Sequence, residues 1–132
     1  MEGAPVVRRE RDASLEDRIR RELPHFSDAQ TERLAEALRR LVGALRPERI
    51  YVFGSQARGT ARPGSDVDLL VVVPHSDEWG HRRDQLAYAV MGWPHLPIEV
   101  IIRTRGEFEA RLPALTSLPA TVVREGRLLY AA

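Results

Sequence analysis

The sequence predicts one small α/β (α+β) domain, a mixed β-sheet with helices packed on it. Three observations carry this. A chain of 132 residues, 43% hydrophobic and 30% charged, can bury one sizeable core and is too short for two ordinary domains. Three short β-branched runs, "RIYVFGS", "DVDLLVVV" and "LPIEVIIRT", are separated by segments of helical period. The middle run is apolar on both faces beyond its first three residues, the pattern of a strand central in its sheet.

Taken in order, residues 1–13 alternate charged and small residues without a period and are expected to form a mobile arm, leaving 14–132 as the domain. Ser14 to Glu22 is predicted as a short helix ended by Pro24. Ser27 followed by Gln30 is a capping-box signature, and Leu34, Leu38, Leu41 and Leu45 recur at helical spacing until Pro47. "RIYVFGS" is a strand that meets a turn at Gly54. "DVDLLVVV" is the second strand, ended by Pro74. Ser76 to Gly92 reads as a helix with Ser76 as cap and with Trp79, Leu86, Val90 and Trp93 on a stripe packed against the sheet; Tyr88 falls on the other side. "LPIEVIIRT" is the third strand. Thr104 to Leu112 and Pro113 to Leu118 are expected as short helices. The tail closes with one more helical turn or strand, then Gly126 and an extended "RLLY".

Composition excludes several function classes. The formal net charge is +1 and no basic stripe is interleaved with aromatics, so no direct nucleic-acid partner is expected. All 20 basic residues are arginine, which says little about mechanism. With no cysteine there is no disulfide, thiolate metal site or cysteine nucleophile. His25, His75, His81 and His95 lack the spacing of a helical metal pair and read as surface or packing residues. No stretch has the length of a signal-peptide core or of a membrane span; a soluble, cytoplasmic protein is expected, with no membrane partner.

The chemistry lies in three acids that enter apolar strands: Asp66 and Asp68 on one, Glu99 on the next. Residues i and i+2 of a strand share a face, so the two aspartates project together. Carboxylates that close repel unless a cation lies between them or one keeps its proton. Oxygen-only ligation favours a hard ion, Mg²⁺ or Mn²⁺, over zinc. If the first two strands pair in opposite directions, Gly54 and Ser55 at the end of one lie beside Asp66 and Asp68 at the start of the other. Glycine there lets backbone N–H groups approach a phosphate, the Ser55 hydroxyl adds a donor, and a helix starting at Ser55 aims its positive end at the same anion. Arg58 and Arg62 in the connection are placed to neutralise phosphate charge.

Gly54-Ser55, ten residues, then Asp66-x-Asp68, with Ser65 before the first acid and an acidic strand later, resembles the signature of the polymerase-beta-like nucleotidyltransferase superfamily. "GSQARGTARPGSDVDLLVVV" is most similar to its minimal, single-domain family, and the likeness runs from about Ser27 to the closing "REGRLLY". The resemblance implies that fold, with two divalent ions held by Asp66 and Asp68 carrying ATP or another nucleoside triphosphate. It implies a nucleotide site at Gly54, Ser55, Arg58, Arg62 and Ser65, and a third catalytic and metal-binding acid that falls on Glu99, where the family usually has aspartate. The implied activity is transfer of a nucleoside monophosphate to a hydroxyl. Larger relatives bind the acceptor with an added helical domain absent from these 132 residues. The minimal family resembles antitoxins that transfer AMP to a tyrosine of a helical HEPN-domain toxin. That makes protein adenylylation the leading expectation and a non-catalytic module that inhibits a helical partner by contact the alternative; small-molecule transfer is third.

Overall fold

The computed structural model describes residues 14–75 and 83–132. Residues 14–22 form helix α1, followed by α2 (Asp28–Leu45), β1 (Arg49–Phe53), α3 (Gly54–Arg58), β2 (Val67–Val73), α4 (Arg83–Met91), β3 (Ile98–Thr104), α5 (Arg105–Arg111), α6 (Leu118–Glu125) and β4 (Arg127–Ala131). The expected mobile arm and Trp79 lie outside the described residues, as do residues 76–82 of the expected Ser76–Gly92 helix.

The sheet is mixed, in the order β3-β2-β1-β4. β1 pairs antiparallel with β2 and β4, while β2 and β3 are parallel. β2 is central, as its two-sided apolar run predicts. Strand alternation sorts the core into two clusters. Ile50, Val52, Val67, Leu69, Val71, Val73, Val100 and Ile102 point to a first face, covered by α1, α2 and α4 through Ile19, Leu34, Leu38, Leu41, Ala87 and Met91. Tyr51, Leu70 and Val72 point to a second face, covered by Phe108 of α5 and Val122 of α6. The second cluster is the smaller, and it leaves part of its face open.

Local chemistry accounts for the helix boundaries. Ser27 caps α2, with its hydroxyl accepting from Gln30 N–H and the Gln30 side chain accepting from Ser27 N–H. Arg46 ends that helix in the left-handed region, before Pro47. Thr104 and Glu107 form a second capping box at α5.

Two expectations are corrected. The expected Pro113–Leu118 helix is absent: residues 113–117 are turns and bends, because Ser117 caps a helix that starts at Leu118 with Pro119 in its first turn, where a missing N–H costs nothing. Trp93 is not packed on the sheet. Gly92 adopts a φ of 65° just past the end of α4, and Trp93 stands 72% exposed with its edge against His95.

Gly126 joins α6 to β4 where a Cβ would lie 2.5 Å from the Val122 carbonyl oxygen and 2.9 Å from that of Val52, both backbone atoms that cannot yield cheaply. Gly43 lies exposed within α2 and has open space around it. Urea denaturation is therefore expected to show Gly126→Ala destabilised by roughly 1–3 kcal/mol and Gly43→Ala stabilised by roughly 0.5–1 kcal/mol.

Candidate active site

The antiparallel β1–β2 ladder ends on the pair Phe53↔Asp68, so the chain leaving β1 passes directly beside the Asp68 side chain. The next residue, Gly54, has a φ of 72°, and a Cβ there would overlap the Asp68 carboxylate. Glycine is required on both counts. Helix α3 starts at Gly54, one residue earlier than expected, which places Ser55 in its first turn rather than at the cap. Phe53 is the cap residue and makes no side-chain cap bond.

The parallel β2–β3 ladder sets Asp68 opposite Glu99. Their Cα atoms are about 4.8 Å apart, the spacing of neighbouring strands. Both belong to the second sheet face, beyond the part covered by α5 and α6. Asp66, one residue before β2, is exposed, Asp68 is half-buried and Glu99 is exposed. The sequence reads Glu99 as an acid inside an apolar strand, but strand alternation brings it out to solvent, so it has no need of a partner within the protein.

The Asp68 carboxyl is pushed above its ordinary range, first by burial and then by the charges of Glu99 and Asp66; Arg58 opposes these. Arg58 lies in the last turn of α3 rather than in the connecting loop, and its charge reaches Asp68. A raised carboxyl pKa favours the protonated form in the folded state. Its stabilising contribution is full below the ordinary carboxylate range and is lost as pH rises through the raised value. At neutral pH and without a cation, Asp68 therefore works against the fold.

The donor chemistry fits a divalent ion: hard oxygens only, with one carboxyl whose charge is disfavoured by the other two. Among the described residues no three acidic or histidine side chains converge closely enough to enclose an ion as they stand. The ladder partners already adjoin through the backbone, so closing on an ion calls for side-chain rotation.

Ser65 has a structural task. Its hydroxyl accepts from Arg62 N–H at 2.9 Å and its own N–H donates to the Arg62 carbonyl at 2.9 Å, closing the turn that leads into Asp66. Arg62 is exposed. Sequence reasoning missed two residues that brace this turn. Buried Gln56 donates to the Ser65 carbonyl at 3.2 Å, and its Oε1 lies 2.7 Å from His25 Nε2. The chain reversal between β1 and β2 brings Gln56 to Ser65, and the packing of the α1–α2 connection brings His25 to Gln56, so no local pattern signals them. A concavity of about 490 Å³, lined by Arg103, Glu107, Ala110, Arg111, Leu118 and Pro119, lies towards the other end of β3 and does not include the acids.

Replacing Asp68 removes a charge that burial and its neighbours oppose. In metal-free buffer at pH 7, Asp68→Asn is expected to melt above the wild type, with the gap closing as pH falls below the carboxylate range; an unchanged melting temperature at pH 7 contradicts this. Added Mg²⁺ is expected to stabilise the wild type more than the variant.

Two solved structures resemble the chain. A protein of Sulfolobus solfataricus assigned as a nucleotidyltransferase superposes with a TM-score of 0.56 at 19% identity, over 89% of this chain and 87% of the other. A toxin-antitoxin structure containing AMP-PNP superposes with a TM-score of 0.46 at 18% identity, over 74% of this chain and 72% of the other. No curated protein matches at a significant level. Residues 31–129 match the nucleotidyltransferase domain family, a span that contains the Gly54–Asp68 clamp, Asp66 and Glu99. With three quarters of its length in that match, the chain belongs to the nucleotidyltransferase domain family.

Proposed function

We propose that the protein is a metal-dependent nucleotidyltransferase that moves AMP from ATP to a hydroxyl, the acceptor being a tyrosine of a HEPN-type helical toxin for which it serves as antitoxin. The observation that carries the transfer reading is the placement of Asp68 between Gly54 on one ladder and Glu99 on the other, with Asp66 two residues away. The acceptor and the antitoxin role rest on the resemblance of the "GSQARGTARPGSDVDLLVVV" stretch to the minimal family.

Asp66 and Asp68 would hold the ions, two Mg²⁺ or Mn²⁺, with Glu99 as the third ligand. When bound, such ions balance charge on the transferring phosphorus and lower the pKa of the acceptor hydroxyl. Gly54 lets the backbone close on the triphosphate, the Ser55 hydroxyl donates to it, and Arg58 and Arg62 offset its charge. Ser65 contributes by holding the loop from which Asp66 projects. Glu99 takes the proton of the acceptor hydroxyl. The acceptor oxygen then bonds to the α-phosphorus as the bond to the bridging oxygen breaks, and pyrophosphate leaves.

The exposure of Glu99 and the open spacing of the three acids favour a second reading, a module that inhibits its partner by contact without transfer. Incubation with Mg²⁺, each nucleoside triphosphate and the product of the neighbouring gene, followed by mass spectrometry, separates the two. Transfer yields a nucleotide adduct on a tyrosine, best with ATP, that disappears with Asp66→Asn and Asp68→Asn. A tight complex that forms equally with both variants and carries no adduct establishes inhibition by contact instead.

A further inference from the structure

We propose that helix α4 is the positioning element for the third carboxylate: Asp84 and Tyr88, one turn apart, bind the open edge of β3 and hold Glu99 in register with Asp68. The catalytic consequence rests on the transferase reading; the structural claim does not.

Among the described residues, β3 has a neighbouring strand on one side only. In a parallel pair, alternate residues turn their N–H groups towards the neighbour and the residues between turn theirs outward. Val67 N–H donates to the Pro97 carbonyl within the register Val67↔Ile98, so Val100 and Ile102 belong to the outward set. Neither is free to face water: Val100 is 3% exposed and Ile102 fully buried, in the same core as Ala87 and Met91 of α4. Buried N–H groups without an acceptor are costly, and α4 supplies the acceptors. Asp84 Oδ1 accepts from Ile102 N–H at 3.0 Å, and the Tyr88 hydroxyl accepts from Val100 N–H at 2.9 Å.

The two spacings match. Four residues of helix rise about 6 Å, and two residues of strand span about 6.6 Å. Asp84 meets the later strand residue and Tyr88 the earlier one, so the helix runs against β3 and serves successive outward N–H groups. Tyr88 keeps 42% of its surface exposed while its hydroxyl is held by the strand, which accounts for a tyrosine on the polar side of this helix. The Val100 N–H belongs to the peptide that joins Glu99 to Val100. That peptide is held by β2 on one side and by Tyr88 on the other. Without α4, the backbone of Glu99 depends on β2 alone.

Tyr88→Phe and Asp84→Ala each delete one acceptor, and Asp84→Asn keeps an oxygen at the same place. Amide hydrogen exchange is expected to rise about tenfold at Val100 in Tyr88→Phe and at Ile102 in Asp84→Ala. Exchange at the inward-facing amide of Glu99 follows in both variants, and Asp84→Asn restores it. Loosened edge amides with an unchanged Glu99 amide would show that α4 merely covers the edge, and the proposal falls. In assays of pyrophosphate release, kcat is expected to drop about tenfold with KM for the triphosphate unchanged, and the same substitutions in a Glu99→Gln background to add no further loss. Full additivity there overturns the route through Glu99. A wild type that releases no pyrophosphate counts against the transferase reading, and the exchange data then decide the positioning alone.

Discussion

The structure depends on one electrostatic constraint, the placement of a half-buried carboxylate, Asp68, at the corner of the sheet where the charges of Glu99 and Asp66 both reach it. Asp68 is central to it, half-buried between the Gly54 backbone and the strand that carries Glu99. Two ladders of opposite sense bring this about. The antiparallel pair delivers the Gly54 turn, and the parallel pair delivers the third acid. Neither contact is local in sequence, and both are set by backbone hydrogen bonding. The charges are tolerated because Asp66 and Glu99 remain in solvent, where like-charge repulsion is screened, and because the rest of β2 is deeply buried.

The unequal cover of the two sheet faces explains where the site can exist. On the first face, α1, α2 and α4 bury strand residues from Val67 through Val73 without a gap. On the second, α5 and α6 reach Tyr51, Leu70 and Val72 and extend no further along β2. Asp68 and Glu99 belong to the same face as Leu70 and Val72 but lie beyond that cover. A third helix on the second face would have to bury both acids without partners. The open part of the face is therefore a consequence of the same charges.

Much of this was legible in the sequence, for identifiable reasons. The Leu34–Leu45 period, the capping pair Ser27 and Gln30, and the two-sided apolar run of β2 are local signals, and each describes the structure correctly. The fold class and the juxtaposition of Gly54 with Asp68 followed from them with one assumption, an antiparallel β1–β2 pair. Misreadings arose where a local pattern competes with a stronger neighbour. The periodic stripe ending in Trp93 is interrupted by Gly92, whose left-handed φ turns the chain away from the core. Pro113–Leu118 has helix-compatible residues, but the Ser117 hydroxyl caps a helix that starts only at the last of them, Leu118. The His25–Gln56–Ser65 brace and the Asp84 and Tyr88 bonds were invisible, because their partners meet only through tertiary pairing.

The presence of glutamate at position 99 shifts where precision must come from. An aspartate in a strand has few rotamers and carries its carboxylate close to the backbone, so the ladder alone nearly fixes it. Glutamate adds a rotatable bond, and an exposed Glu99 loses side-chain entropy whenever it is drawn into a fixed geometry. Magnesium tolerates only small departures from octahedral geometry. In the proposed reading, where Glu99 is a ligand of such an ion, a longer, freer side chain meets that demand only if its backbone origin does not move. On an edge strand with one neighbour, that requirement falls on whatever holds the other side, which here is the pair of acceptors on α4.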